Sequence, residues 1–227
     1  MATEVNTLHI RKHRSLLAEV EKRSLVWMAE RLPAKINSDH LTLLGLFSMF
    51  LAGMSYWAAS WNKFALAFVV VFLATNWFGD SLDGTLARVR NQQRPRYGFY
   101  VDHVIDIFGT FFLLGGLALS GYISPIVALG LLATYLMVTS EVFLSTHTGG
   151  VFRLSFMKFG PTELRILLAI GTLYLLHKPW IELVPWGPFR LFDVGGVIAS
   201  AGLMVALVVS SIRNTMALYR AEPLSRQ

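Results

Sequence analysis

Residues 79–106 read GDSLDGTLARVRNQQRPRYGFYVDHVID and set Asp80, Asp83, Asp102 and Asp106 between two long apolar runs. On a helix, positions three, four and seven apart share a face. Asp80, Asp83, Gly84 and Ala87 have that spacing, so two carboxylates and two small residues form one stripe. Gly98, Asp102 and Asp106 step by four, which places two more carboxylates one turn apart at the start of the next helix. The connection is short, so the two helices are expected to be neighbours. Four carboxylates converging near a membrane would repel, and in a low dielectric they would protonate or need cations. Oxygen ligands without His or Cys favour Mg²⁺, Mn²⁺ or Ca²⁺ over zinc. The alternative is a structural network in which Arg88, Arg90, Arg94 and Arg96 neutralise the aspartates. Gly84, Ala87 and Gly98 remove bulk from the same faces, which would serve either a ligand approaching the backbone or close helix packing.

The flanking runs define the class. Of 227 residues, 54% are hydrophobic and only 15% charged, and the mean hydropathy is +0.53. A membrane helix needs roughly 20 apolar residues to cross about 30 Å of hydrocarbon. Six runs are expected to be spans: 41–60, 63–86, 100–121, 124–146, 162–178 and 192–216. The fifth is the shortest at its uncharged centre, Ile166 to Leu176; it borrows length from Glu163, Arg165 and His177 or stops short of a full crossing. The runs lack the period-2 alternation of a barrel. The expected fold is therefore an all-α polytopic membrane protein with six transmembrane helices. An amphipathic helix is expected before them, from the helical spacing of Leu16, Leu17, Val20, Ser24, Trp27, Met28 and Leu32. Its basic residues would meet anionic headgroups in the cytoplasmic interface, and Pro33 would end it.

All but three of the 20 Lys and Arg lie in the N-terminal segment, the second–third loop, the fourth–fifth region or the C-terminus; the exceptions are Lys63, Lys178 and Arg190. Cationic loops stay on the cytoplasmic side, so both termini and the aspartates are expected there, at the cell inner membrane. The net charge of +6 is then mainly an orientation signal, and no nucleic-acid partner is expected. Cysteine is absent, which excludes a disulfide framework and cysteine metal sites. The first 24 residues are too polar for a secretory signal peptide, so the first span is expected to target the chain. With no internal repeat, the organisation reads as a flank over 1–35, one membrane domain over 36–219 and a tail over 220–227.

The stretch resembles the signature of the CDP-alcohol phosphotransferase family, D-x-x-D-G-x-x-A-R, eight or nine residues, then G-x-x-x-D-x-x-x-D. Asp80, Asp83, Gly84, Ala87, Arg88, Gly98, Asp102 and Asp106 fill all eight specified positions. A second likeness is SDHLTLLG, where Leu41, Thr42 and Gly45 fit the family's P-N-x-L-T-x-x-G, while Ser38 and Asp39 replace its Pro and Asn. The resemblance implies an integral membrane enzyme, six spans, a homodimer, and transfer of a substituted phosphate from a CDP-linked alcohol to a second alcohol with release of CMP. It implies that Asp80, Asp83 and Asp102 hold two divalent ions, Mg²⁺ or Mn²⁺, on the pyrophosphate. Asp106 would be the base, with a possible metal contact. Gly84, Ala87, Arg88, Gly98 and Thr42 would line the nucleotide site.

Two details resemble choline and ethanolamine phosphotransferases: Asp102-His103-x-x-Asp106, and EVFLSTHTGGVFRLSFMKFGPTELR over 141–165. By that likeness His103, Glu141, His147, Arg153 and Glu163 are substrate candidates, the donor is CDP-choline or CDP-ethanolamine, and the acceptor is diacylglycerol. The alternative within the family is a phosphatidyltransferase using CDP-diacylglycerol with glycerol phosphate, inositol, inositol phosphate or serine. A phosphorylated acceptor needs a basic pocket, for which Arg153, Lys158 and Arg165 are candidates. Outside the enzymes, an ion-coupled transporter would also carry membrane carboxylates. It predicts acidic residues at mid-span, whereas these four sit at helix ends.

Overall fold

The computed structural model describes residues 18–149, 161–183, 185 and 187–222. Its elements are α1 (Ala18–Arg31), α2 (Ser38–Ala58), α3 (Ala65–Val89), α4 (Pro95–Leu119), α5 (Pro125–Gly149), α6 (Pro161–Leu175), a hairpin of β1 (Trp180–Leu183) and β2 (Gly187–Arg190), and α7 (Leu191–Ala221). Helices α2, α3, α4, α5 and α7 are long and apolar enough to cross a membrane. The expected fifth span is α6, a helix of 15 residues and so about 22 Å long, short of the roughly 30 Å of hydrocarbon. After it the chain turns, with the His177 and Lys178 amides both bonding the Tyr174 carbonyl. It then enters the antiparallel hairpin, in which Trp180 pairs with Arg190. That hairpin is the departure from an all-α chain, and α7 carries helix past Tyr219 into the expected tail.

Local chemistry sets the helix ends. Asn37 caps α2: its side chain accepts the His40 amide at 3.0 Å, and the His40 ring accepts the Asn37 amide at 3.2 Å. This reciprocal pair satisfies amides that the first turn leaves free. At the other end of the site, Asn91 has φ +55°, a left-handed conformation that asparagine tolerates better than most residues. The Gln92 amide returns to the Ala87 carbonyl at 2.9 Å, α3 stops, and Pro95 opens α4 where a missing N–H costs nothing.

Helix α2 is the axis of the bundle, and glycines set its distances to α3 and α4. A Cβ on Gly79 would sit 2.6 Å from the Leu41 carbonyl oxygen and 2.9 Å from the Gly45 nitrogen. Deeper in the membrane, a Cβ on Gly53 would strike the Phe112 carbonyl, and one on Gly116 the Gly53 carbonyl. Both neighbours therefore lie backbone to backbone on α2. As a consequence α3 and α4 share little contact with each other despite their short connection. The expectation that they are direct neighbours is corrected: α2 takes the close-packing face of each.

The remaining helices attach outside this trio. Helix α6 packs on α3, α5 on α4, and α7 on α5. The buried Tyr56 hydroxyl of α2 shares a hydrogen bond with Thr172 of α6, within a core that includes Leu66, Val69, Leu113, Leu117 and Leu175. Helix α1 buries Leu25 and Ala29 against Leu82 and Leu86 of α3. Ser24 and Trp27 are exposed. The α3-facing stripe is Leu25, Met28, Ala29 and Leu32, and Arg31 stacks on Trp27 at 4.2 Å. Leu16 and Leu17 lie outside the described residues.

Adding a methyl at a backbone contact forces helices apart, whereas adding one in open space does not. Gly116→Ala is expected to lower the stability of the detergent-purified protein by about 1–3 kcal/mol. Gly98→Ala, with nothing within 4 Å of the new carbon, is expected to leave the melting temperature unchanged. A fluorescence thermal-shift comparison checks both, and equal melting of the two variants would refute the glycine-contact account.

Candidate active site

Four elements meet where α3 ends and α4 begins. Asp83 is held at both carboxylate oxygens: Oδ2 accepts from the Thr42 hydroxyl at 2.6 Å, and Oδ1 accepts from the Gly84 amide. Ser38 also donates to the Asp83 main-chain carbonyl at 3.0 Å. The start of α2 thus grips the aspartate turn of α3. Asp80, one turn deeper, accepts from Arg165 of α6 at 2.6 Å, and both side chains are largely enclosed, at 26% and 19% exposure. A pair so sheltered is screened less than a surface ion pair.

The charges of Asp102 and Asp80 both bear on Asp83. Asp106 is exposed, and its charge, like that of Arg165, reaches Tyr135 of α5. Asp83 thus feels the charges of Asp80 and Asp102, and Tyr135 those of Asp106 and Arg165. Gly98 opens on empty space, and Gly84 meets only the flexible Arg88 side chain, at 3.4 Å. The two roles left open for small residues therefore divide. Gly45, Gly53, Gly79 and Gly116 serve packing, and Gly84 and Gly98 leave room beside the carboxylates. Arg88 bonds the Thr85 hydroxyl at 2.9 Å, and Ala87 is half-buried.

The other candidates divide as well. The His103 ring nitrogen Nδ1 bonds the Phe99 carbonyl at 2.6 Å, and the ring lies between Phe99 and Phe143 with centroids 4.2 and 5.0 Å away. Glu141 accepts from Ser210 at 2.9 Å and Asn214 at 2.7 Å, which ties α5 to α7. His147 is exposed near the end of α5. Arg153 and Lys158 lie outside the described residues, as does the side chain of Glu163. Ser38 went unread as a site residue because it departs from the motif, although its hydroxyl reaches the same turn as Thr42.

The donor set suits a hard divalent cation: carboxylates beside a hydroxyl, with no thiol or clustered imidazole. Among the described residues no three acidic, His or Cys side chains are gathered tightly enough to hold an ion. Arg165 and Thr42 occupy one oxygen each of Asp80 and Asp83. The chemistry fits Mg²⁺ or Mn²⁺, with Asp80, Asp83, Asp102 and Asp106 as the residues that would hold it.

Comparison with known proteins bears on the whole arrangement. No curated protein sequence matches this chain. Among solved structures, the Mycobacterium tuberculosis phosphatidylinositol phosphate synthase PgsA1, crystallised with CDP-DAG bound, superposes with a TM-score of 0.57. The match covers 90% of this chain and 100% of that one at 18% identity, a likeness of fold. The family model for CDP-alcohol phosphatidyltransferases matches residues 36–213, a stretch that runs from the α2 cap to the end of the last span and contains all eight motif residues. This chain belongs to the CDP-alcohol phosphatidyltransferase family.

Proposed function

We propose that this protein is a phosphatidyltransferase that uses CDP-diacylglycerol as donor, takes a small polar alcohol, by preference a phosphorylated one, as acceptor, and releases CMP. The observation that carries this reading is the contact of Arg165 with Asp80. A planar guanidinium is the side chain best matched to a phosphate ester, and here it stands among the carboxylates. The lipid donor gains support from the fold neighbour, whose structure holds CDP-DAG. The competing donor, CDP-choline or CDP-ethanolamine with diacylglycerol as acceptor, rests on His103 and the segment from Glu141 to Glu163. His103 packed between two phenylalanines and Glu141 bonded to α7 are better explained as structural groups.

In the proposed reaction the acceptor oxygen bonds the phosphorus that carries the diacylglycerol, the bond from that phosphorus to the CMP oxygen breaks, and the acceptor proton passes to the Asp106 carboxylate. Asp106 suits that role because it is the exposed member of the group. Divalent ions held by Asp80, Asp83, Asp102 and Asp106 would neutralise charge on the pyrophosphate. Gly84, Ala87, Gly98, Arg88 and Thr42 would accept the nucleotide. The membrane domain is assigned to 36–219, with 1–35 as an interfacial flank, 220–227 as a tail and both termini in the cytoplasm. A homodimer completes the reading.

CMP release by purified protein in lipid micelles with Mg²⁺ or Mn²⁺ separates the donors. Turnover is expected with CDP-diacylglycerol plus glycerol phosphate or inositol phosphate, and none with CDP-choline or CDP-ethanolamine plus diacylglycerol; the opposite pattern would refute the lipid-donor assignment. Asp106→Asn is expected to lower kcat by about 10²–10⁴-fold while CDP binding persists. Asp80→Asn is instead expected to raise the Mg²⁺ concentration needed for half-maximal rate. Full activity in Asp106→Asn would remove it as the base.

A further inference from the structure

Arg90 lies outside the eight motif positions, directly after the last residue of α3. Its guanidinium donates to three main-chain carbonyls of the segment that joins α1 to α2: Nη2 to Leu32 at 2.9 Å and to Pro33 at 3.1 Å, and Nη1 to Ile36. Free carbonyls at a helix C-terminus carry partial negative charge, so a half-buried arginine is well suited to hold them. Four residues on, Arg94 pairs with Asp39 in the first turn of α2. Beside these anchors the chain carries Ser38 and Thr42, the two hydroxyls that bond Asp83. Asp83 lies two turns before Arg90, the C-cap of α3. The segment 32–42 is therefore a strap held by Arg90 at Leu32–Ile36, by Arg94 at Asp39 and by Asp83 at Ser38 and Thr42.

We propose that Arg90 is a positioning residue for the transfer reaction: by pinning the Leu32–Ile36 carbonyls it keeps the Thr42 hydroxyl on Asp83 and so orients that carboxylate toward metal and pyrophosphate. The proposal rests on the Asp83 role assigned above. It differs from simple helix capping in its consequence. Capping alone would affect stability, whereas orientation of Asp83 affects ion and donor binding and spares the acceptor.

The test compares full-length wild type, Arg90→Ala, Arg90→Lys, Thr42→Val and the double variant Arg90→Ala with Thr42→Val. Two readouts are used: Mn²⁺ binding in the presence of CDP, followed by electron paramagnetic resonance of the free ion, and CMP-release kinetics. Arg90→Ala is expected to weaken Mn²⁺ binding and raise the donor KM by about fivefold to tenfold, the scale of one lost hydrogen bond. The acceptor KM should hold, and Arg90→Lys should recover part of the loss because an ammonium cannot span three carbonyls. If Arg90 acts through Thr42, the double variant binds Mn²⁺ no more weakly than Thr42→Val alone. Should Arg90→Ala not fold, Arg90→Lys carries the comparison with the same direction and a smaller shift. Mn²⁺ binding equal to wild type, or additive losses in the double variant, would overturn the proposal. Wild type releasing CMP from no donor would defeat the functional reading itself; active wild type with unchanged Arg90 variants would defeat only this inference.

Discussion

Helices in hydrocarbon gain nothing by hiding leucine from lipid, so a membrane bundle is held where backbones come close enough for dense packing. In this protein that closeness is concentrated on one helix. Leu41 and Gly45 of α2 receive Gly79 of α3, and Gly53 of α2 receives Phe112 and Gly116 of α4. The site depends on the first of these contacts. With α3 seated at Leu41 and Gly45, the first turns of α2 bring Thr42 and Ser38 onto Asp83. Both crossings use α2, and Gly98 of α4 borders open space.

Charge at a membrane boundary imposes the second constraint. A carboxylate out of bulk water needs a partner, and the described network supplies one for each carboxylate on α3. Asp80 has Arg165, and Asp83 has Thr42 and the Gly84 amide. Of the arginines around the α3–α4 connection, Arg90 bonds main-chain carbonyls of the α1–α2 segment and Arg94 pairs with Asp39 in the first turn of α2. Asn76, one turn below Asp80, gives its amide N–H to the Gly45 carbonyl at 3.0 Å. Its Oδ1 is the buried side-chain oxygen without a protein partner among the described residues.

Much of this was legible in the chain. Hydropathy placed the spans to within a few residues, because a stretch that must satisfy its own backbone bonds in lipid has to be a helix of fixed length. The short uncharged centre of Ile166–Leu176 already marked the helix that proves too short. The carboxylate faces followed from spacing alone, since Asp80 and Asp83 on one helix and Asp102 and Asp106 on the next obey helical geometry whatever surrounds them. The hairpin at Trp180–Arg190 escaped notice, as four-residue strands leave little periodicity to detect. Glu141 and His103 looked like site residues because motif likeness does not say which way a side chain finds its partner.

Membrane class, the helices and the four aspartates at their ends were thus determined by the sequence by itself, since each depends on residues close together along the chain. Which helices touch, which glycines serve packing and which leave space, and how Ser38 and Thr42 reach the Asp83 turn while Arg90 holds the segment before them were decided only in the tertiary structure. Those contacts join positions 31 to 85 residues apart. Their geometry is set by where α2 lies between its neighbours, and no local pattern encodes that position.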